Sequence, residues 1–453
     1  MKNTLFISLA VALLGAMSLA LSAKTVTAAA PAGLVRLRVD VDRAVLPANT
    51  TEKTIVKIGL DCVRPPRRDM RPPVNLALVI DRSGSMAGDK IAKAREAALE
   101  AVQRLAPDDI VALVVYDTTV QTLVPAQRVG DGRRLERAIR GIEVAGNTAL
   151  YGGVARGADE VRRHMEDRRF VNRVILLSDG LANVGPSSPE ELGRLGASLV
   201  KEGISVTTIG LGLGFNEDLM TRLAQRSDGN TYFVEHSADL PRIFAAELGD
   251  VLNVVARRVV IEIEFPMGVR PINFVGRDGV IRGQRAELTL NQLYGGQEKF
   301  ALIEVEVSPS RPGAELEIAQ ARVRYEDALN QRATTLTAKR SVQFSASQAA
   351  VVASADHKVQ ADWAANTLAV AKDEAVALVD AGQRDQAAAK MRQRADEVRA
   401  MGSAYGNFAL QEAAAPAAAA ADRVEKEGLG NVERKNYRAE SAATRSQQST
   451  GSP

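Results

Sequence analysis

Val74-Asn75-Leu76-Ala77-Leu78-Val79-Ile80 runs straight into Asp81-Arg82-Ser83-Gly84-Ser85. An apolar run of that kind is what a strand buried on both faces of a parallel sheet requires. The carboxyl edge of such a sheet is where open α/β folds place their ligands. Here the strand end carries one carboxylate and two hydroxyls at alternate positions. Small oxygen donors of this type suit a hard divalent cation such as Mg²⁺. Asp, Ser and Gly also build ordinary turns, so the weight of the reading falls on what accompanies the junction.

From Val74 to about Asp250, apolar runs alternate with helical periodicity. Ile91, Ala94, Ala98, Val102 and Leu105 share one helical face, and Ile110 to Tyr116 reads as a second buried strand with a short neighbour at Val120 to Val124. Helices are predicted over Leu135–Ile142, Leu150–Met165, from Pro189 onward, over Glu217–Arg226 and over Leu240–Leu252. Strands are predicted at Val174–Ser178, Ser205–Ile209 and Thr231–Val234. Pro189 stands early in its helix, where a missing N–H costs little. Strands spaced by helices of this length imply an α/β, doubly wound and mostly parallel sheet.

The flanks follow a different period. Val35, Leu37, Val39 and Val41 alternate with charged residues, and Val56, Ile58, Leu60 and Cys62 share one strand face. After residue 251, Val259, Ile261, Ile263, Phe265, Ile303, Val305 and Val307 continue the alternation. This is antiparallel, sandwich-like sequence, and the α/β unit reads as inserted in or flanked by that β-sandwich. The domain reading is a secretory signal at 1–30, a β segment with a Pro-rich spacer at 31–73, the α/β unit at 74–250 and a β-rich part at 251–346. A C-terminal helical hairpin at 347–411 and a disordered tail at 412–453 complete it. The tail is Ala-rich, then Ser/Gln/Thr-rich, with six basic and six acidic residues, a composition that points to disorder.

The chain has 453 residues, 58 Lys and Arg against 55 Asp and Glu, and 4% aromatic residues. Charges so nearly balanced, with few stacking platforms, give no case for nucleic acid. Lys2, the apolar stretch Leu5 to Leu21 and the small residues ending in Ala28-Ala29-Ala30 form a secretory signal pattern. The expected location is therefore exported, periplasmic or extracellular. A membrane association is expected only if this segment stays on as an anchor. Cys62 is the single cysteine, so no intramolecular disulfide forms, and its place in an apolar face argues for a buried structural thiol. One Cys and three scattered histidines (His164, His236, His357) exclude a zinc site of ordinary spacing.

Two further segments belong with the opening junction. Gly146-Asn147-Thr148-Ala149-Leu150 sets a hydroxyl just before a helix, and Ser178-Asp179-Gly180 ends a strand with a carboxylate. In a parallel sheet these groups reach one edge on three loops. Two carboxylates with three hydroxyls suit Mg²⁺ or Mn²⁺, with Ca²⁺ a further candidate, and leave coordination positions open. Gly210-Leu211-Gly212-Leu213-Gly214 lacks the dinucleotide-binding spacing and reads as a structural turn. No phosphate-binding loop, H-E-x-x-H or G-x-S-x-G motif occurs, and neither serine has an evident histidine base.

On these residues the chain resembles a von Willebrand factor type A domain with a complete metal-ion-dependent adhesion site. Asp81, Ser83 and Ser85 match its D-x-S-x-S element, Thr148 its second-loop threonine and Asp179 its third-loop aspartate. More loosely, the whole chain resembles bacterial exported proteins related to inter-α-trypsin inhibitor heavy chains or calcium-activated chloride channel proteins. The resemblance implies that Ser83, Ser85 and Thr148 contact the metal through their hydroxyls, while Asp81 and Asp179 act mostly through bound waters. It also implies a protein partner that supplies an acidic side chain. The expectation is thus a non-enzymatic adhesion module with no small-molecule substrate. The rival expectations are a structural envelope component gripping through its helical C-terminal part, and a metal-dependent hydrolase.

Overall fold

The computed structural model describes residues 33–65 and 71–450. The secretory segment and part of the Pro-rich spacer read from the sequence lie outside the described residues. The chain enters through β1 (Val35–Val41), β2 (Val45–Pro47) and β3 (Glu52–Cys62). The α/β unit then runs β4 (Val74–Asp81), α1 (Asp89–Arg104), β5 (Ile110–Tyr116), β6 (Val120–Arg128), α2 (Arg133–Arg140) and α3 (Leu150–Arg162). It continues with β7 (Val171–Ser178), α4 (Pro189–Glu202), β8 (Ile204–Leu211), α5 (Glu217–Arg226), β9 (Thr231–Val234) and α6 (Leu240–Val251).

Its six strands lie in the order β6-β5-β4-β7-β8-β9, parallel except for β6, which runs antiparallel to β5 on the edge. Alternate residues of the central strand serve opposite layers. Leu76, Leu78 and Ile80 pack with α1, α2 and α6, while Ala77 and Val79 pack with α3, and the same second core takes in α4 and α5. Every residue of β4 is buried, which explains why its sequence is continuously apolar rather than alternating.

After α6 come β10 (Val254–Glu264), β11 (Val269–Val275), β12 (Val280–Arg282), β13 (Arg285–Tyr294), β14 (Gln297–Val307), β15 (Glu315–Asp327) and β16 (Ala333–Ser345). They form two sheets with the N-terminal strands. One has the order β1-β3-β14-β11 and the other β12-β13-β10-β15-β16-β2. A single core joins Val39, Val56, Ile58 and Leu60 to Val259, Ile261, Ile303 and Val323. The segments before and after the α/β unit are therefore one sandwich, and the unit is inserted into it.

The C-terminal part is larger than a hairpin. A short helix, α7 (Gln348–Ala353), leads to α8 (His357–Asp380), α9 (Arg384–Tyr405), α10 (Phe408–Glu427), α11 (Asn431–Arg445) and β17 (Gln448–Thr450). These helices cover the outer face of the first sheet, where Ile55, Phe300 and Leu302 meet Val359, Trp363, Val398 and Leu410. Trp363 Nε1 donates to Glu304 Oε1 at 2.8 Å. That cover is why β3 is buried on both faces although its sequence alternates.

The expectation of a disordered tail at 412–453 is overturned over its described residues, 412–450. Ala414, Ala420, Ala421 and Val424 are buried in helix-to-helix packing, where small side chains allow close approach. The tail's charges are used in place. Arg434 pairs with Glu217, Asp218 and Asp380, and Arg438 with Asp218 and Asp373. Lys435 lies 2.5 Å from Glu217 and is 4% exposed. The last strand, β17, adds to β14. Among the described residues no helix is long and apolar enough to cross a membrane.

Candidate metal centre

Asp81 ends β4 and Ser178 ends β7, and these two strands are parallel neighbours. Their side chains meet: Ser178 Oγ donates to Asp81 Oδ2 at 2.6 Å, and the backbone N–H of Ser83 donates to Asp81 Oδ1 at 2.8 Å. The second bond closes the chain into the tight turn that follows. Burial pushes the Asp81 carboxyl above its usual pKa, against the hydrogen bonds from Ser178 and Ser83, and nearby Asp179 adds to the rise.

Past that turn, Gly84–Met86 makes one 3-10 turn that swings Ser83 and Ser85 to the same side. Their hydroxyl oxygens lie 3.1 Å apart. Ser85 Oγ donates to Asp179 Oδ1 at 2.7 Å, which links the first loop to the third. The other Asp179 oxygen, Oδ2, accepts from Lys90 Nζ at 2.5 Å.

Thr148 arrives on the second loop just ahead of α3. Its N–H donates to Asn183 Oδ1 at 2.9 Å, and the neighbouring Ala149 N–H donates to Asp117 O at 2.8 Å. Gly146 has φ +61°, and a Cβ there would meet Thr118 Oγ1 at 2.6 Å, so glycine is required for this loop to lie down. Gly180 matters for another reason. A Cβ on it would sit 2.9 Å from Thr148 Oγ1 and 3.4 Å from Ser85 Oγ. The absence of that side chain leaves the two hydroxyls facing shared space.

The structure thus brings Asp81, Ser83, Ser85, Thr148 and Asp179 to one edge of the sheet, all but Ser85 buried. Among the described residues no group of three His, Cys, Asp and Glu could hold a metal, and a cation here would depend on hydroxyl donors. The donor set fits a small hard divalent ion: two carboxylates for charge and three neutral hydroxyls for contact. A serine nucleophile fits less well, because Ser85 faces a carboxylate that already holds an ammonium. His164 and His357 bond to the backbone carbonyls of Ala126 and Tyr405 instead. A cavity of about 390 Å³, lined in part by Asp228, Thr231, Lys299 and Arg445, lies at the opposite edge of the sheet and shares none of these residues.

Residues 75–246 match the family model described as the von Willebrand factor type A domain. The chain contains a von Willebrand factor type A domain. An uncharacterised protein of Synechocystis sp. is 28% identical over 269 residues, covering 57% of this chain and 63% of that protein. Inter-alpha-trypsin inhibitor heavy chain H3 of Mesocricetus auratus is 26% identical over 234 residues, covering 48% of this chain and 26% of that protein. The chain thus spans less than two thirds of the length of these curated relatives. A solved structure described as von Willebrand factor type A from Catenulispora acidiphila has a TM-score of 0.64 at 18% identity, covering 83% of this chain and 89% of that one. The fold of the type A domain together with its flanks is therefore shared with a known structure.

Two features of the site have no signal in the sequence motif. Lys90 sits in the first turn of α1, where a lysine reads as a solvated surface residue. Arg82, inside the motif, turns away from the donors and holds Asp117 at 2.7 Å. Burial acts to raise the Asp117 pKa, but the N–H and hydroxyl of Thr119 together with Arg82 hold it below the usual carboxylate range. Arg82 and Asp117 thus brace the first and second loops.

Proposed function

We propose that the chain is an exported, non-enzymatic adhesion module that binds a partner protein's carboxylate through a divalent cation, Mg²⁺ first among candidates. The observation that carries this reading is the meeting of Asp81, Ser83, Ser85, Thr148 and Asp179 at one strand edge, joined by the 2.7 Å bond from Ser85 to Asp179. The hydroxyls of Ser83, Ser85 and Thr148 and the carboxylates of Asp81 and Asp179 would hold the ion. Once bound, it supplies a Lewis-acidic position for an incoming carboxylate oxygen. The chain's own groups set that position. Neutral hydroxyls contribute no charge of their own, and the hydrogen bonds to Asp81 fix the turn that presents them.

The surroundings suit a protein-sized partner. Val144, Leu181 and Leu213 are 38%, 59% and 47% exposed. Each stands on a different loop bordering the donors: the Ala145 N–H donates to Arg82 O, Leu181 follows Gly180, and Leu213 adjoins Gly214, whose Cβ would lie 2.8 Å from Asp179 O. Exposed apolar residues ringed by polar ones are the composition of a protein interface.

The test combines metal titration with capture. Mg²⁺ is expected to raise the melting temperature of the full chain, and envelope proteins are expected to be retained in Mg²⁺ and released by chelator. Asp81→Ala should abolish both effects while the chain stays folded. Retention that persists in excess chelator would end this reading.

A further inference from the structure

We propose that Lys90 is a built-in surrogate cation: its ammonium occupies Asp179 in the metal-free protein, a divalent ion must compete with it, and its charge favours the partner's acid once the ion is bound. This rests on the reading of the three loops as a metal site.

The geometry makes Asp179 a shared ligand. Its side chain is fully buried, with Oδ1 taking the Ser85 hydroxyl and Oδ2 taking Lys90 Nζ at 2.5 Å. A buried carboxylate without a cation is costly, and Lys90 meets that need before any metal arrives. The lysine is not sealed in, since its side chain is 33% exposed. Its stem lies along Gly212, where a Cβ would meet Lys90 Cε at 3.5 Å on a backbone with φ +70°. The β8–α5 loop therefore offers a track along which the ammonium can withdraw towards solvent. The neighbouring cation in the motif, Arg82, is committed to Asp117 and does not substitute.

Charge then assigns a consequence to the lysine. Asp81 and Asp179 alone would be neutralised by one divalent ion, and a partner's carboxylate would bring an uncompensated negative charge. With Lys90 counted, the loaded site keeps one positive charge, which a single acidic side chain cancels. Lys90 thus opposes the metal and favours the partner, two effects of opposite sign from one residue. A purely structural lysine would produce neither.

The experiment uses the full chain with Lys90→Met, which keeps length and removes charge, and Lys90→Arg, which keeps charge. Mg²⁺ alone is titrated by calorimetry, and melting is followed in chelator and in saturating Mg²⁺. Lys90→Met is expected to bind Mg²⁺ roughly tenfold tighter, within the usual range of coupling between two ligands. It should melt below the wild type in chelator and close that gap in Mg²⁺, while Lys90→Arg behaves as wild type. Equal or weaker Mg²⁺ binding by Lys90→Met, or the same loss of melting temperature in both conditions, overturns the surrogate role. No Mg²⁺ binding by any of the three proteins overturns the metal reading and this inference with it. For the partner half, an acidic heptapeptide selected on the wild-type chain in Mg²⁺ from a displayed random library should bind Lys90→Met more weakly despite its tighter metal. Unchanged or tighter peptide binding overturns that half, and failure to recover any Mg²⁺-dependent peptide overturns the adhesion reading on which it stands.

Discussion

Ser85 Oγ donates to Asp179 Oδ1 at 2.7 Å across 94 positions of sequence. This one bond ties the turn after β4 to the end of β7, so both loops respond when either is altered. Ser85→Ala leaves Asp179 held by Lys90 and should cost about 1 kcal/mol of stability, the usual net value of a hydrogen bond. The larger effect is expected on the ion: the Mg²⁺-dependent rise in melting temperature should disappear. Denaturant unfolding and melting curves with and without Mg²⁺ separate the two effects.

Arg173 joins the type A domain to the sandwich from a fully buried position on β7. Its guanidinium donates to Thr207 at 3.3 Å and to Gln292 at 3.0 Å, meets the Tyr294 hydroxyl, and lies 3.8 Å from Glu247, also fully buried. Arg173→Met leaves that carboxylate without a cation, held only by neutral donors from Thr207, Asn230 and Tyr232, and should destabilise the chain by up to about 3–5 kcal/mol, as expected when one partner of a buried pair is removed. The double variant Arg173→Met with Glu247→Gln should recover much of the loss. A double variant no more stable than the single one in denaturant unfolding would count against the pairing.

Glu298 gives a pH dependence with a defined sign. It is 5% exposed and takes Lys57 at 2.6 Å, Arg38 at 2.8 Å and Lys358 at 3.0 Å. Burial acts to raise its pKa, but Lys57 and Lys358 overcome that and hold it at about 2, against 4.5 in the unfolded chain. The folded state therefore binds this proton more weakly. Its stabilising contribution is complete above pH 4.5 and is lost as pH falls towards 2, on the order of 3 kcal/mol in all. The stability gap between wild type and Glu298→Gln should be wide at pH 7 and close over that window.

Ending the chain after Gly430 removes α11 and β17. Glu217, 8% exposed, then loses Lys435 and Arg434, and Asp218 loses Arg434 and Arg438. Removing α11 also opens Glu217 to water, so the loss expected is that of the helix's packing, about 1.5–3 kcal/mol from uncovering Tyr437, which is buried with Val376 and Val424. Limited proteolysis should open at α5, whereas a freely moving tail would leave the digestion pattern of the core unchanged when deleted.

The donors of the candidate site were legible because each stands at a place where local pattern and chemistry coincide. The apolar run of β4 announces a buried strand, and one carboxylate and two hydroxyls stand at alternate positions at its end. Thr148 precedes a helix and Asp179 ends a strand, so a parallel sheet puts both at the same edge. Lys90 was not legible, because its meaning depends on Asp179, which comes from β7. The inward turn of Lys57 was hidden for the same reason: only the cover supplied by α8 makes the outer face of β3 an interior. The tail was misread because alanine is nearly silent in hydrophobic patterning, yet it packs tightly between helices. Its balanced charges looked solvated, and two of their partners, Glu217 and Asp218 on α5, lie some two hundred residues upstream.

The register of β3 against β14 pairs Asp61 with Glu298. At synthesis rates of about 5–20 residues per second, the first hairpin therefore waits on the order of ten to fifty seconds for the strand that completes its sheet. During that interval the edge of β3 is an open template, and the type A domain, whose contacts are nearer in sequence, can fold before the scaffold that will hold it.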